Sequence, residues 1–155
     1  MKLAEALALR ADAARRVEQL RARVVGNARH QEGEEPAEDA GRLLAEAGEV
    51  LDELEGLIRR INRTNSQAVV DGGGTLTDAL ARRDVLRLRH AVISDAADAA
   101  AGGGRHGGRQ LRSELKMLST LPVAELRARA DVLAREIRET DVLIQRSNWE
   151  VDLLD

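Results

Sequence analysis

The sequence predicts a mainly α chain of two tandem long helical hairpins, a four-helix bundle or coiled-coil-like, with short β segments at the helix connections. Three observations predict it. The apolar residues, 43% of the 155, are almost wholly aliphatic, with no Phe, no Tyr and Trp149 alone, and 33% of the chain is charged. Narrow Leu, Val and Ile seams alternating with charged faces have this composition. Apolar residues recur at spacings of three and four over four long stretches, and the order of these parts occurs twice.

The first helix is read from Leu3, Leu7, Ala11, Ala14, Val17, Leu20 and Val24, which fall along one helical stripe. Gly26 and Asn27 end it. Pro36 then stands where a first helical turn tolerates it. In the second helix Leu43, Ala47, Val50, Leu54, Leu57 and Ile61 step by four and three, and Leu44, Leu51 and Ile58 flank that seam seven residues apart. This is the cleanest heptad register of the first half. Asn62 is expected to cap it, with a short strand over 66–70 and a turn at Gly72–Gly74.

Thr75 followed by Asp78 reads as a capping box, so a third helix starts near Leu76. Its stripe is read as Leu80, Val85, Leu88, Val92, Ala96 and Ala99. The glycine cluster at 101–108 predicts a mobile tip, and the near-alternation over 110–121 favours a strand. Pro122 opens the fourth helix, where Val123, Leu126, Ala130, Leu133, Ile137, Thr140 and Ile144 step by three and four as far as Asn148. Trp149, Val151 and Leu153 alternate in a strand-like way.

The two halves resemble each other. Residues 3–11, LAEALALRA, align with 76–84, LTDALARRD, at an offset of 73 residues, and LIRRIN at 57–62 aligns with LIQRSN at 143–148 at an offset of 86. One domain, 1–155, with pseudo-repeats 3–70 and 76–155 follows. The repeated signature places Leu57, Ile58, Leu143 and Ile144 on buried seams.

Composition excludes several chemistries. Without cysteine there are no disulfides, thiolate metal sites or thiol nucleophiles. Glu5, Arg10 and Asp12 interrupt any signal-peptide core, and no run reaches the ~18 apolar residues of a spanning helix, so a cytoplasmic protein is expected. The net charge is −3, unevenly spread: residues 31–58 hold ten acids against Arg42, while residues 1–29 hold seven basic residues against three acids. Facing helices that select each other by charge account for this.

Candidate sites are few. Glu32, Glu34, Glu35, Glu38 and Asp39 form an acidic loop that could hold a cation weakly, although EF-hand spacing is absent and a Glu-rich helix start explains it as well. His30, His90 and His106 share no metal-ligand spacing. No nucleophile motif accompanies any serine, so no enzyme, cofactor or small-molecule substrate is expected. DGGGT at 71–75 lacks the Gly-Lys-Ser/Thr of a phosphate loop. Asn62, Asn65, Gln67 and Asn148 form a possible polar interaction cluster at one bundle end. Arg82, Arg83, Arg87 and Arg89 make a local basic run without stacking aromatics.

At NARHQEGEEPAED, INRTNSQ, LTDALARRDVL and SNWEVDLL the chain resembles the septicolysin-like family of small bacterial proteins, over nearly its whole length. The 101–108 segment is where it departs from the family's usual run. The resemblance implies no catalytic residue, and a cytolysin-like membrane activity only through the name some members carry. The function expected from the residues is that of a non-enzymatic, homo-oligomeric structural or interaction protein, with no membrane or nucleic-acid partner. The surplus stripe Leu44, Leu51 and Ile58 is wider than one partner helix needs. A membrane-active cytolysin-like protein and an RNA-binding helical hairpin are the alternatives.

Overall fold

The computed structural model describes residues 1–103 and 115–155. It contains four helices, α1 Leu3–Asn27, α2 Ala40–Gln67, α3 Leu76–Ala100 and α4 Val123–Glu150. Their lengths are 25, 28, 25 and 28 residues. The chain divides into two compact units, Met1–Val69 with Gln145–Asp155, and Val70–Ile144.

In the first unit α1 and α2 pair as an antiparallel hairpin around Ala13, Leu20, Leu43 and Val50, with Val17, Val24, Ala47 and Leu54 packed against them. The heptad seam of α2 is thus the buried one. The basic first helix meets the acidic second as its charges predict. Arg16 Nη2 lies 2.7 Å from Glu46 Oε1, and Arg23 Nε donates to Glu38 Oε2 at 2.9 Å. The α1 stripe is displaced by one position in its middle: Ala6 and Ala13 are buried, whereas Ala11 and Ala14 are exposed.

In the second unit α3 and α4 form the other hairpin, joined across by Arg87 to Asp141 at 3.1 Å and Arg127 to Asp98 at 3.3 Å. The α4 seam holds as read, with Leu126, Thr140 and Ile144 buried. The α3 stripe does not. Leu76, Ala79, Leu86 and Ala97 face inward, while Val85, Leu88 and Val92 are exposed. The helix carries two apolar stripes, and Arg83 and His90, half-buried on the inner one, disguise it in the sequence.

Helix ends follow local chemistry. Asp39 accepts from Gly41 N and Arg42 N at 2.9 and 3.1 Å to cap α2, so the helix begins after the acidic loop rather than at Pro36. Thr75 and Asp78 make the predicted box: Asp78 N donates to Thr75 Oγ1 at 3.3 Å, and Thr75 N to Asp78 Oδ2 at 2.7 Å. At α1, Lys2 has no side-chain acceptor, and only the return half exists, Lys2 N to Glu5 Oε2 at 2.6 Å.

The expected β segments are absent among the described residues. A single antiparallel bridge, Lys2 with Asp152, is all that the strand-like C-terminal text yields, and 115–121 has no regular structure. The rest of the 110–121 strand expectation, residues 110–114, and the part of the glycine tip at 104–108 lie outside the described residues. Likewise 66–70 is not a strand: α2 continues five residues past Asn62 to Gln67, because burying Ile61 and Thr64 outweighs the weak helix propensity of Asn and Thr. Neither Asn62 nor Asn148 caps in the left-handed region, since among the described residues only glycines have positive φ. Gly72, Gly73 and Gly74 have φ of 90°, 91° and 85°, which accounts for three consecutive glycines in this turn.

Several hydrogen bonds recur in the two halves. Adding 73 to α1 positions and 83 to α2 positions carries Ala6 N to Lys2 O (3.1 Å) onto Ala79 N to Thr75 O (3.1 Å), and Leu43 N to Asp39 O (3.0 Å) onto Leu126 N to Pro122 O (3.0 Å). Val70 N to Gly74 O (3.1 Å) likewise corresponds to Leu153 N to Met1 O (2.9 Å), the donors standing 83 apart and the acceptors 73. The second offset is therefore 83 rather than 86. LIRRIN and LIQRSN match in letters but differ in facing: Ile58 is 39% exposed while Ile144 is 3% exposed, and Leu143 is half-buried. The residue that corresponds to Ile144 is Ile61, 1% exposed. Three residues of slip rotate a helix by about 300°, enough to move a side chain from seam to surface.

Candidate functional site

The residues gathered at the first unit's terminal end serve the fold. Leu3 N donates to Val151 O at 3.0 Å, and Lys2 Nζ reaches both Glu150 O at 3.0 Å and Asp152 Oδ1 at 2.9 Å. On the other flank Leu154 N donates to Thr64 Oγ1 at 3.0 Å, and Arg60 Nε to Leu154 O at 3.0 Å. Arg63 completes this clasp on the Asp155 backbone oxygen. Sequence reasoning missed all of it. Thr64, wholly buried and donating to Arg60 O at 2.8 Å, is the hinge of the arrangement. The Lys2 ammonium beside Asp152 holds that carboxyl below its ordinary range by hydrogen bond and charge.

The four residues of the expected polar cluster differ in exposure. Asn62 and Gln67 are exposed, Asn65 is half-buried and Asn148 is buried. Among the described residues no hydrogen bond joins any two of the four. The members of the acidic loop have separate roles. Glu38 binds Arg23, whose guanidinium lowers the carboxyl's pKa chiefly through their hydrogen bond, and Asp39 caps α2. Glu32, Glu34 and Glu35 remain exposed. No three His, Asp or Glu residues among those described are placed to hold a metal. His30 is on the α1–α2 connection of the first unit and His90 on α3 of the second, and His106 is outside the described residues. Of the basic run, Arg82 pairs with Glu136 at 3.6 Å, Arg83 with Asp84 at 2.9 Å and Arg87 with Asp141.

The helical hairpins present apolar surface on two faces, apart from the exposed Leu115, Met117 and Leu118 that precede α4. On α2, Leu44, Leu51 and Ile58 are 62%, 48% and 39% exposed, one heptad apart beside the buried seam. The surplus stripe read from the sequence therefore finds no cover within its own unit. On the second hairpin an open groove of about 510 Å³ runs between α3 and α4, lined by Val85, Leu88, Val92 and Ile93 on one side and by Val132 and Leu133 on the other. Arg89 and Arg129 stand at its walls. Apolar surfaces rimmed by charge are the kind that interaction sites have.

The chain is similar over its whole length to a solved protein from Corynebacterium diphtheriae, described as a functionally unknown conserved protein. The two are 43% identical, 99% of each chain is covered, and the TM-score is 0.90. No protein of curated function matches. Residues 10–153 match a family model described as a family of unknown function, and the chain belongs to that family, DUF6847.

Proposed function

We propose that this is a non-enzymatic homo-oligomeric helical protein whose role is structural or one of interaction, and that its two hairpins descend from one duplicated unit. The duplication reading rests on the recurring helix lengths and hydrogen bonds. Self-association rests on one observation, the uncovered α2 stripe Leu44, Leu51 and Ile58 at heptad spacing. Covering what these three side chains still expose is worth about 1 kcal/mol each. Association costs ~4–15 kcal/mol in lost freedom, so the stripe needs a complementary apolar surface to bind stably.

Light scattering at tens of micromolar tests this reading. The expected result is a mass above one chain, reduced to one chain by Leu51→Glu, which places a charge in the stripe without touching the buried seam. A strictly monomeric wild-type protein ends the reading. For the membrane-active alternative, no described helix is long and apolar enough to cross a bilayer, and dye release from anionic liposomes is its direct test. For RNA binding, a steep salt dependence of heparin retention is required; the ion-paired state of Arg82, Arg83 and Arg87 argues against it.

A further inference from the structure

The second half of the chain serves as an internal control for the first. Arg16 and Glu46 close one side of the first hairpin with an ion pair at 2.7 Å. By the offsets of 73 and 83, taken from the shared hydrogen bonds, their counterparts are Arg89 and Arg129, two cations where the first hairpin has a cation and an anion. Around that pair, Asp12, Arg15, Gln19 and Glu49 correspond to Val85, Leu88, Val92 and Val132. A polar, ion-paired side in one hairpin is an apolar, arginine-walled groove in the other.

The opposite sides show the reverse exchange. Leu44 and Ile58 of α2 correspond to Arg127 and Asp141 of α4, which pair with Asp98 at 3.3 Å and Arg87 at 3.1 Å. Where one hairpin pairs ions the other is apolar, with the Arg82–Glu136 pair at 3.6 Å lying one turn beyond the apolar stretch on the groove side of the second hairpin. Among the described residues of the two hairpins, the α2 stripe and the α3/α4 groove are thus both uncovered.

We infer that the α2 stripe of one copy docks in the α3/α4 groove of a second copy, with the exposed carboxylates Asp52 and Glu55 facing Arg89 and Arg129. This deepens the self-association reading and rests on it. Three features fit the occupant to the site. Leu44, Leu51 and Ile58 repeat every seven residues, about 10.5 Å along a helix, and the groove residues Val85 and Val92 stand at that same separation. The charges are opposite: from Glu46 to Glu55 α2 has five acids and no base, so pairing α2 with another α2 sets like charges together, whereas the groove offers two arginines with no acid between them. The groove is also open, with Leu88 67% and Val92 66% exposed. A small ligand needs enclosure of ~70–90% of its surface; a helix laid along the groove does not.

The chain has no cysteine, so single-cysteine variants report contacts cleanly. Leu51→Cys mixed with Leu88→Cys under mild oxidation is expected to give a disulfide dimer containing one chain of each, while each variant alone stays uncross-linked. Cross-linking of Leu51→Cys to itself overturns the inference by placing α2 against α2, and leaves self-association intact. A monomeric wild type removes both readings. Charge reversal supplies a second measurement: Arg89→Glu/Arg129→Glu is expected to weaken association about tenfold or more, and so is Asp52→Arg/Glu55→Arg. Mixing these two double variants restores opposite charges at both contacts and should recover the wild-type mass. Unchanged association of the Arg89→Glu/Arg129→Glu protein, or failure of the mixture to recover, sinks the proposed contact.

Discussion

The sharpest test of how the halves correspond compares Ile58, Ile61 and Ile144 after truncation to alanine. Ile61 and Ile144 are 1% and 3% exposed and stand 83 residues apart, whereas Ile58 is 39% exposed and stands 86 from Ile144. Ile→Ala removes three carbons. At about 0.8 kcal/mol for each buried group the transfer loss is about 2.4 kcal/mol. At Ile61 and Ile144 a cavity adds to this, bringing each cost to about 3–4 kcal/mol. At Ile58 water fills the vacated space and part of the side chain was already hydrated, so about 1 kcal/mol or less is expected. Urea denaturation of dilute protein reads the difference directly. With m of ~2 kcal/mol/M, Ile61→Ala and Ile144→Ala lower the midpoint by ~1.5–2 M and Ile58→Ala by under ~0.5 M. Equal, severe losses at Ile58 and Ile144 with a mild one at Ile61 would refute the offset of 83 and restore the register suggested by the letters LIRRIN and LIQRSN.

Thr64→Val keeps the shape of a wholly buried residue but removes the acceptor for Leu154 N, so about 1–2 kcal/mol is expected; faster hydrogen exchange at Leu154 and Leu153 checks that the clasp has loosened. Asp78→Ala removes half of the α3 capping box and should cost about 1 kcal/mol by thermal or urea unfolding, with Asp78→Asn costing less. Gly73→Ala meets no neighbouring atom but forces a side chain into φ of 91°, which should cost about 1–3 kcal/mol, measured by the same denaturation. Acid should destabilise the chain in a definite window. Hydrogen bonds from Thr75, Arg23 and Lys2 lower the pKa of Asp78, Glu38 and Asp152 in the fold, so the unfolded chain takes up protons first. Their stabilisation is complete above the ordinary values of 3.8 for Asp and 4.5 for Glu and is lost as pH falls through the lower folded values. A stability profile that stays flat between about pH 5 and about 3, followed by circular dichroism, contradicts that assignment.

Local sequence was enough to specify the four helices, the seams of α2 and α4, the Thr75–Asp78 cap and the glycine turn. These depend on neighbours within a turn or two: a heptad of Leu, Val and Ile buries one stripe whatever it packs on, and a positive φ demands glycine anywhere. The opposite charges of α1 and of the acidic stretch 31–58 likewise forecast the Arg16–Glu46 and Arg23–Glu38 pairs. Which of two apolar stripes on α3 turns inward was fixed only when the helices packed. Val85, Leu88 and Val92 are larger than Ala79 and Ala97, so a count of hydrophobicity chooses the wrong face; close packing buries Ala79 and Ala97 together with Leu76 and Leu86 and leaves the other stripe outside. Packing also carried α2 on to Gln67, since Thr64 gains burial and a bond to Leu154, a residue distant in the chain. For the same reason the burial of Asn148 beside an exposed Trp149 was not legible: facing around a helix turns by about 100° per residue, and only a packed core fixes which positions turn inward.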